Sequence, residues 1–122
     1  MLALGGAFGG ACRYLATRAL DTRLGTHFPW GTLVVNLSGA FMASLVAGAL
    51  PLGSDGGMLA LLLLAGFCGS YTTVSSWGLQ TLALVHRRYY LRAAANLVLT
   101  TLLGLLAIGA GLYLGGFLGE VL

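Results

Sequence analysis

Charge positions constrain this chain more than any other feature. Three uncharged runs, 28–54, 56–85 and 93–119, fill most of its 122 residues. Each exceeds the roughly 20 apolar residues that cross about 30 Å of hydrocarbon. The charges between them fall in four places: Arg13 to Arg23, Asp55, His86 to Arg92, and Glu120. Only 7% of residues are charged, against about 25% in a soluble domain, so a solvated surface cannot be built. That excludes a soluble enzyme, a disordered tail and a nucleic-acid binder; a net charge of +3 is too small for a phosphate-tracking surface. One integral membrane domain, 1–122, is the reading that remains.

The runs predict an all-α chain with four transmembrane helices at about 2–20, 30–50, 58–85 and 93–117, joined by short connections at 21–29, 51–57 and 86–92. Helices satisfy every backbone group within the span, and no run alternates with the period of two that a barrel needs. The first segment is weaker because Arg13 interrupts it. It has no basic start, and its first positive charge comes at position 13, so it does not read as a signal peptide. Four crossings put both termini and the 51–57 connection on one side, with Asp55 and Glu120 and no Arg. The other side holds Arg18, Arg23, Arg87, Arg88 and Arg92. The positive-inside rule then predicts both termini outside, unless the protein inserts in both orientations. Cys12 and Cys68 read as small apolar packing residues.

Four stretches depart from plain membrane helix. In Gly5–Tyr14, Gly5/Gly9 and Gly6/Gly10 are GxxxG pairs suited to close helix contact. Arg13 either snorkels towards the 21–29 side or places a fixed positive charge at the mouth of an anion path. In Pro29–Phe41, Asn36 lies about two turns into an apolar helix and must face protein or water. It reads either as an interhelical hydrogen bond or as a pore-lining donor, sharing a face with Thr32 and Gly39.

In Gly66–Trp77, two Gly and five Ser or Thr fall within 11 positions, midway along a run too long for one straight crossing. They predict a broken third helix with carbonyls freed near the bilayer midplane, able to hold a hard cation such as Na⁺. The fourth stretch is a row on the last helix, Asn96, Thr100 and Gly104, with Thr101 beside it. It is either a second polar track or a packing seam. Gly111, Gly115 and Gly119 form a further stripe expected to serve packing alone.

Three of these blocks together resemble the CrcB/Fluc fluoride channels: the glycine-rich start ending in Arg13-Tyr14, the Pro29-x-Gly31-Thr32-Leu33-x-x-Asn36-x-x-Gly39 block, and Gly66-Phe67-Cys68-Gly69-x-x-Thr72-Thr73-x-Ser75. The resemblance covers essentially the whole chain. It implies a passive, fluoride-specific ion channel that exports cytoplasmic fluoride across the cell membrane. The subunits would pair as an antiparallel dimer with two pores and a structural Na⁺ at its centre. By motif position the Na⁺ would rest on the backbone carbonyls of Gly69 and Thr72. The fluoride path would use Asn36, residues 74–77, and Thr100 or Thr101, with Arg13 as the anion-attracting charge.

Two departures stand out. The family usually reads Thr-Thr-Phe-Ser-x-Phe; here Val74 and Trp77 occupy the two Phe positions. Val74 has no ring edge to offer an anion, whereas Trp77 keeps one and adds an indole N–H. The five-to-none Arg asymmetry is also large for a subunit that inserts both ways. A homodimer is the default expectation. A heterodimer with an oppositely biased relative, one of its pores silent, is the alternative. A small proton-coupled multidrug exporter would need a titratable carboxylate within the membrane. Asp21, Asp55 and Glu120 are instead expected in loops or at the end. A purely structural subunit would explain the GxxxG pairs but not the polar residues at 36 and 72–76. An enzyme is the least expected reading, since no nucleophile lies near His27 or His86 by sequence.

Overall fold

The computed structural model describes residues 1–50, 53 and 55–121, and among them every regular element is helical. The expected 51–57 connection lies partly outside the described residues. Helix α1 is Leu2–Leu24 and α2 is Trp30–Ala49. A third rod follows in pieces: α3 (Gly57–Leu61), a π-helical stretch (Leu62–Cys68) and α4 (Gly69–Tyr71). After an interruption come α5 (Val74–His86) and α6 (Tyr90–Val121).

Helix α1 runs past position 20 because nothing there stops it. The stop is Gly25, at φ 82, whose N–H donates to the Asp21 carbonyl at 3.0 Å. Asp21 and Arg23 therefore sit in the last turns of α1 rather than in a loop, and Glu120 likewise lies within α6. Helix α2 opens just after Pro29, whose carbonyl accepts the first helical bond from Leu33 N–H at 3.1 Å. Proline lacks an N–H to lose there. The α5–α6 turn closes as a Schellman motif: Arg88 takes φ 62, and Tyr89 N–H donates to the Leu84 carbonyl at 2.9 Å.

Three stretches are long and apolar enough to cross a membrane: Trp30–Ala49, Gly57–His86 taken across the interruption, and Tyr90–Val121. Helix α1, with Arg13, Arg18, Asp21 and Arg23, packs against the π stretch and α4 as the fourth rod of the bundle. The longest seam joins α2 to α6. It is made by glycine: a Cβ on Gly111 would strike Ser44 Oγ, and one on Gly115 would strike the Leu45 carbonyl. Few side chains are buried, and most large apolar ones face outward, as they must where lipid rather than water surrounds the protein.

The end of α1 and the end of α5 lie at the same end of the bundle. Arg18 and Arg23 come from the end of α1, Arg87 and Arg88 from the α5–α6 turn, and Arg92 from the start of α6. Arg92 stacks over the Tyr89 ring at 4.5 Å and reaches the His27 carbonyl at 3.5 Å.

Candidate functional site at the helix break

The third rod breaks at Thr72 and Thr73, near the middle of its membrane-length stretch. Both residues are extended, with ψ 158 at Thr72 and φ −150, ψ 125 at Thr73. An extended pair inside a helix strands backbone groups that lipid cannot satisfy, and side chains from two neighbouring helices take them up. Asn36 pairs with the Thr73 backbone in both directions: its Nδ2 donates to the carbonyl at 2.8 Å, and its Oδ1 accepts from the N–H at 2.8 Å. Arg13 Nη1 donates to the Thr72 carbonyl at 3.2 Å. Gly39 lets α2 approach closely enough for the Thr72 methyl to lie where a Cβ would be.

These contacts give two of the expected residues a structural task. Arg13 turns inward, half-buried, onto the break rather than snorkelling to the helix end. Asn36 is a brace for the broken backbone before it is anything else. One amide hydrogen holds Thr73, and Asn36 also lines the groove beside the break.

The hydroxyls that loosen the helix mostly bond within their own rod. Thr72 Oγ1 donates to the Cys68 carbonyl at 2.9 Å, and Ser70 Oγ to the Gly66 carbonyl at 2.9 Å. Thr73 restarts the helix: its Oγ1 accepts from Ser76 N–H at 3.2 Å, an N-cap for α5. Thr73 Oγ1 also lies 3.2 Å from Ser75 Oγ and donates to Ser76 Oγ at 3.3 Å. Ser75 and Ser76 thus surround the cap rather than project freely.

Beside the break lies an open groove of about 450 Å³, apolar along most of its wall. Its polar wall residues are Asn36, Thr72, Thr73 and, across from them on α6, Thr100. Thr100 Oγ1 is buried and has no hydrogen-bond partner among the described residues. Thr101 points elsewhere: it is exposed, and its hydroxyl donates back to the Leu97 carbonyl at 2.8 Å. Of the two threonines expected on the path, the helix phase brings only Thr100 to the groove, with Gly104 one turn on. Val74 lines the groove at 77% exposure, so its surface is open to whatever faces this side.

Trp77 also lines the groove, but its indole N–H is occupied, donating to the Asn96 carbonyl at 3.4 Å. The extra donor expected from a Trp in place of Phe is therefore directed away from an anion, and the ring itself is what the groove sees. Asn96 is almost wholly enclosed, at 1% exposure, and does not line the groove.

For a metal, no group of three His, Cys, Asp or Glu side chains comes together among the described residues. A cation at the break would rest on backbone oxygens. The Gly69 carbonyl fits that role: in a continuous helix it would accept from Thr73 N–H, which Asn36 takes instead. The Thr72 carbonyl already holds Arg13 and has one lone pair left.

Three features escape sequence reasoning. The π-helical turns at Leu62–Cys68 have no residue signature, and wider helical turns of this kind often mark functional sites. Gly39 serves the break rather than helix packing in general. Thr81, which carries no motif, joins Asn96 to Trp77 through its hydroxyl.

Residues 1–112 match the family model described as CrcB-like protein, Camphor Resistance (CrcB). The chain is 39% identical over 123 residues to the fluoride-specific ion channel FluC 2 of Bradyrhizobium diazoefficiens, covering 97% of this chain and 88% of that protein. It is 43% identical over 115 residues to the FluC 2 of Rhodopseudomonas palustris, covering 90% and 86%. It is 41% identical over 117 residues to the FluC of Rhodospirillum rubrum, covering 90% and 88%. On a match that runs from the first helix through most of the last, the chain belongs to the CrcB-like family.

Proposed function

We propose that this membrane protein is a subunit of a fluoride-specific channel. The observation that carries the reading is the groove: Asn36 and Thr100, two residues with hydrogen-bond donors, line a mostly apolar wall beside a braced helix break. Fluoride is small and strongly hydrated, so a selective path must replace its water with donors while offering larger anions little. An amide hydrogen, a hydroxyl and the positive edge of the Trp77 ring are such groups. Arg13 adds fixed positive charge one carbonyl away, raising the local anion concentration in a low-dielectric surround.

The groove is open along one side, and a second copy of the chain, antiparallel to the first, is the occupant this reading requires. Helix α1 is then the fourth crossing. The Arg-bearing end faces the cytoplasm of the plasma membrane, and both termini lie outside. A structural Na⁺ would be held by the carbonyls of Gly69 and Thr72, with the second subunit completing its shell. Its chemistry there is that of a hard cation on neutral oxygens, tying two breaks together. Replacing Na⁺ by N-methyl-glucamine during purification should then weaken the dimer, read by cross-linking.

A second reading rests on Val74. With a bare aliphatic surface where the resemblance expects an aromatic ring, one face of the groove offers no edge to fluoride. Together with five Arg at one end, this favours pairing with an oppositely oriented relative, in which one of two pores is silent. Reporter fusions at the carboxy terminus separate the cases, because equal signal from both sides of the membrane excludes one-way insertion.

The direct test is fluoride efflux from liposomes containing the purified protein, with chloride as the control anion. Rapid fluoride loss with chloride retained is the expected result. Fluoride trapped as in empty liposomes would overturn the homomeric channel.

A further inference from the structure

We infer that Thr81 and Asn96 are positioning residues for Trp77 and, through it, for anion selectivity. Three hydrogen bonds form a closed ring that begins and ends on this one residue. Thr81 Oγ1 donates to the Trp77 carbonyl at 2.8 Å. Asn96 Nδ2 donates to Thr81 Oγ1 at 2.8 Å. Trp77 Nε1 donates to the Asn96 carbonyl at 3.4 Å. The ring ties α5 to α6 at the level where Trp77 enters the groove, and it holds both the backbone and the indole of that residue.

The orientation of the Asn96 amide follows from chemistry. The Thr81 hydroxyl has one hydrogen, and the Trp77 carbonyl, which can only accept, takes it. The Asn96 atom facing Thr81 must then be a donor, so its nitrogen points there and its Oδ1 is left buried without a partner among the described residues. A buried unpaired carbonyl is costly, and an apolar residue of similar size would avoid that cost. Asn96 is at 1% exposure and Thr81 at 9%, so neither faces lipid or the groove wall. What the pair does is tie α5 to α6 where the Asn96 backbone carbonyl holds the Trp77 indole, and so fix the position of a ring that lines the groove.

Ring position matters for selectivity because an aromatic edge attracts an anion only when the ring is presented edge-on; its face repels one. A Trp77 free to rotate would widen the groove and alternate edge with face, admitting larger anions and losing fluoride contact. This step rests on the fluoride reading; the clamp itself does not, and the two are tested by different readouts.

The experiment uses the full chain in liposomes with Trp30→Phe, which leaves Trp77 as the sole indole. The clamp is read by indole emission and acrylamide quenching, and selectivity by the ratio of fluoride to chloride efflux. Thr81→Val is expected to shift the emission and to raise quenching. It should lower the fluoride-to-chloride ratio by about tenfold, the scale of one buried hydrogen bond. Asn96→Leu should do the same, and Thr81→Ser, which keeps the hydroxyl, should restore both readouts. Emission and quenching unchanged in Thr81→Val and Asn96→Leu would overturn the clamp. A changed emission with an unchanged efflux ratio would overturn the selectivity role. If the parent protein passes no fluoride, the homomeric-channel reading fails, while the fluorescence result still decides the clamp.

Discussion

Helix α2 faces two partners, and it meets them in opposite ways. Towards α6 it presents Ser44 and Gly48, which receive Gly111, Gly115 and the Leu112 carbonyl with no space between backbones. Ser44 there bonds back to its own helix, at 2.9 Å to the Ala40 and Phe41 carbonyls. Towards the break it presents Asn36 and Gly39, and the side chain completes the backbone of another element. The first seam works by the absence of side chains, and it leaves no room for a ligand. The second works by a polar side chain where the backbone is incomplete, and a groove opens beside it. Stability should therefore reside in the glycine seam and transport in the amide brace, and substitutions should separate the two.

The largest effect is expected from Asn36→Leu. The shape is nearly kept, but the Thr73 N–H and carbonyl both lose their partner. Each buried group left unpaired costs about 1–3 kcal/mol, so the break should refold locally or collapse. Fluoride efflux should fall at least about 100-fold. Efflux near the parent rate would show that the brace is dispensable and would remove Asn36 from the site. Gly111→Val tests the other seam. Its added carbons have to displace Ser44 or the Phe41 backbone, a distortion of about 1–3 kcal/mol. The melting temperature in detergent should drop, while efflux per folded channel stays at the parent value. A selective loss of efflux with unchanged melting would reverse the comparison.

How much of this division could be read beforehand depends on the range of each interaction. The break was legible because its causes are local: Gly69, Ser70, Thr72 and Thr73 lie next to one another, and each weakens the same helical ladder. The need for Asn36 to find a partner was legible too, since an amide cannot face lipid. Its partner was not, because Thr73 is 37 residues away and many carbonyls could have served. The partner of Arg13 was hidden for another reason. Its length allows several destinations, and only the packing of α1 against α4 shows that the Thr72 carbonyl is within reach. The glycine stripes were visible as spacing, yet Gly10 meets nothing within 4 Å whereas Gly9 abuts the Phe67 carbonyl. Spacing marks a face without saying what covers it. The π-helical turns at Leu62–Cys68 arise from how the rod fits between neighbours, and no residue in that stretch announces them.

Arg13→Gln should have an intermediate effect. Glutamine can still donate to the Thr72 carbonyl, so the break keeps most of its geometry and loses its fixed charge. A fixed charge near a path acts through local ion concentration, typically about tenfold or more at low ionic strength and less as salt rises. Efflux should fall by about tenfold in low salt and by less in high salt, with melting nearly unchanged. A salt-independent loss would instead make Arg13 a structural brace equivalent to Asn36.

The smallest differences give the sharpest test of the groove, because Thr100 and Thr101 are adjacent and chemically identical. Thr100 lines the groove, with its Oγ1 buried and unpaired among the described residues; Thr101 is exposed, and its Oγ1 donates to the Leu97 carbonyl. Replacing a hydroxyl by a methyl of the same shape removes a donor and little else. At Thr100 it also removes an unpaired polar atom, so Thr100→Val should leave melting unchanged or slightly raised while fluoride efflux falls severalfold. Thr101→Val removes a bond that lies within one turn of α6, and efflux should stay at the parent rate. If both substitutions slowed fluoride equally, α6 would be turned relative to the groove by about 100°. If neither did, the donor opposite Asn36 would have to come from the second subunit.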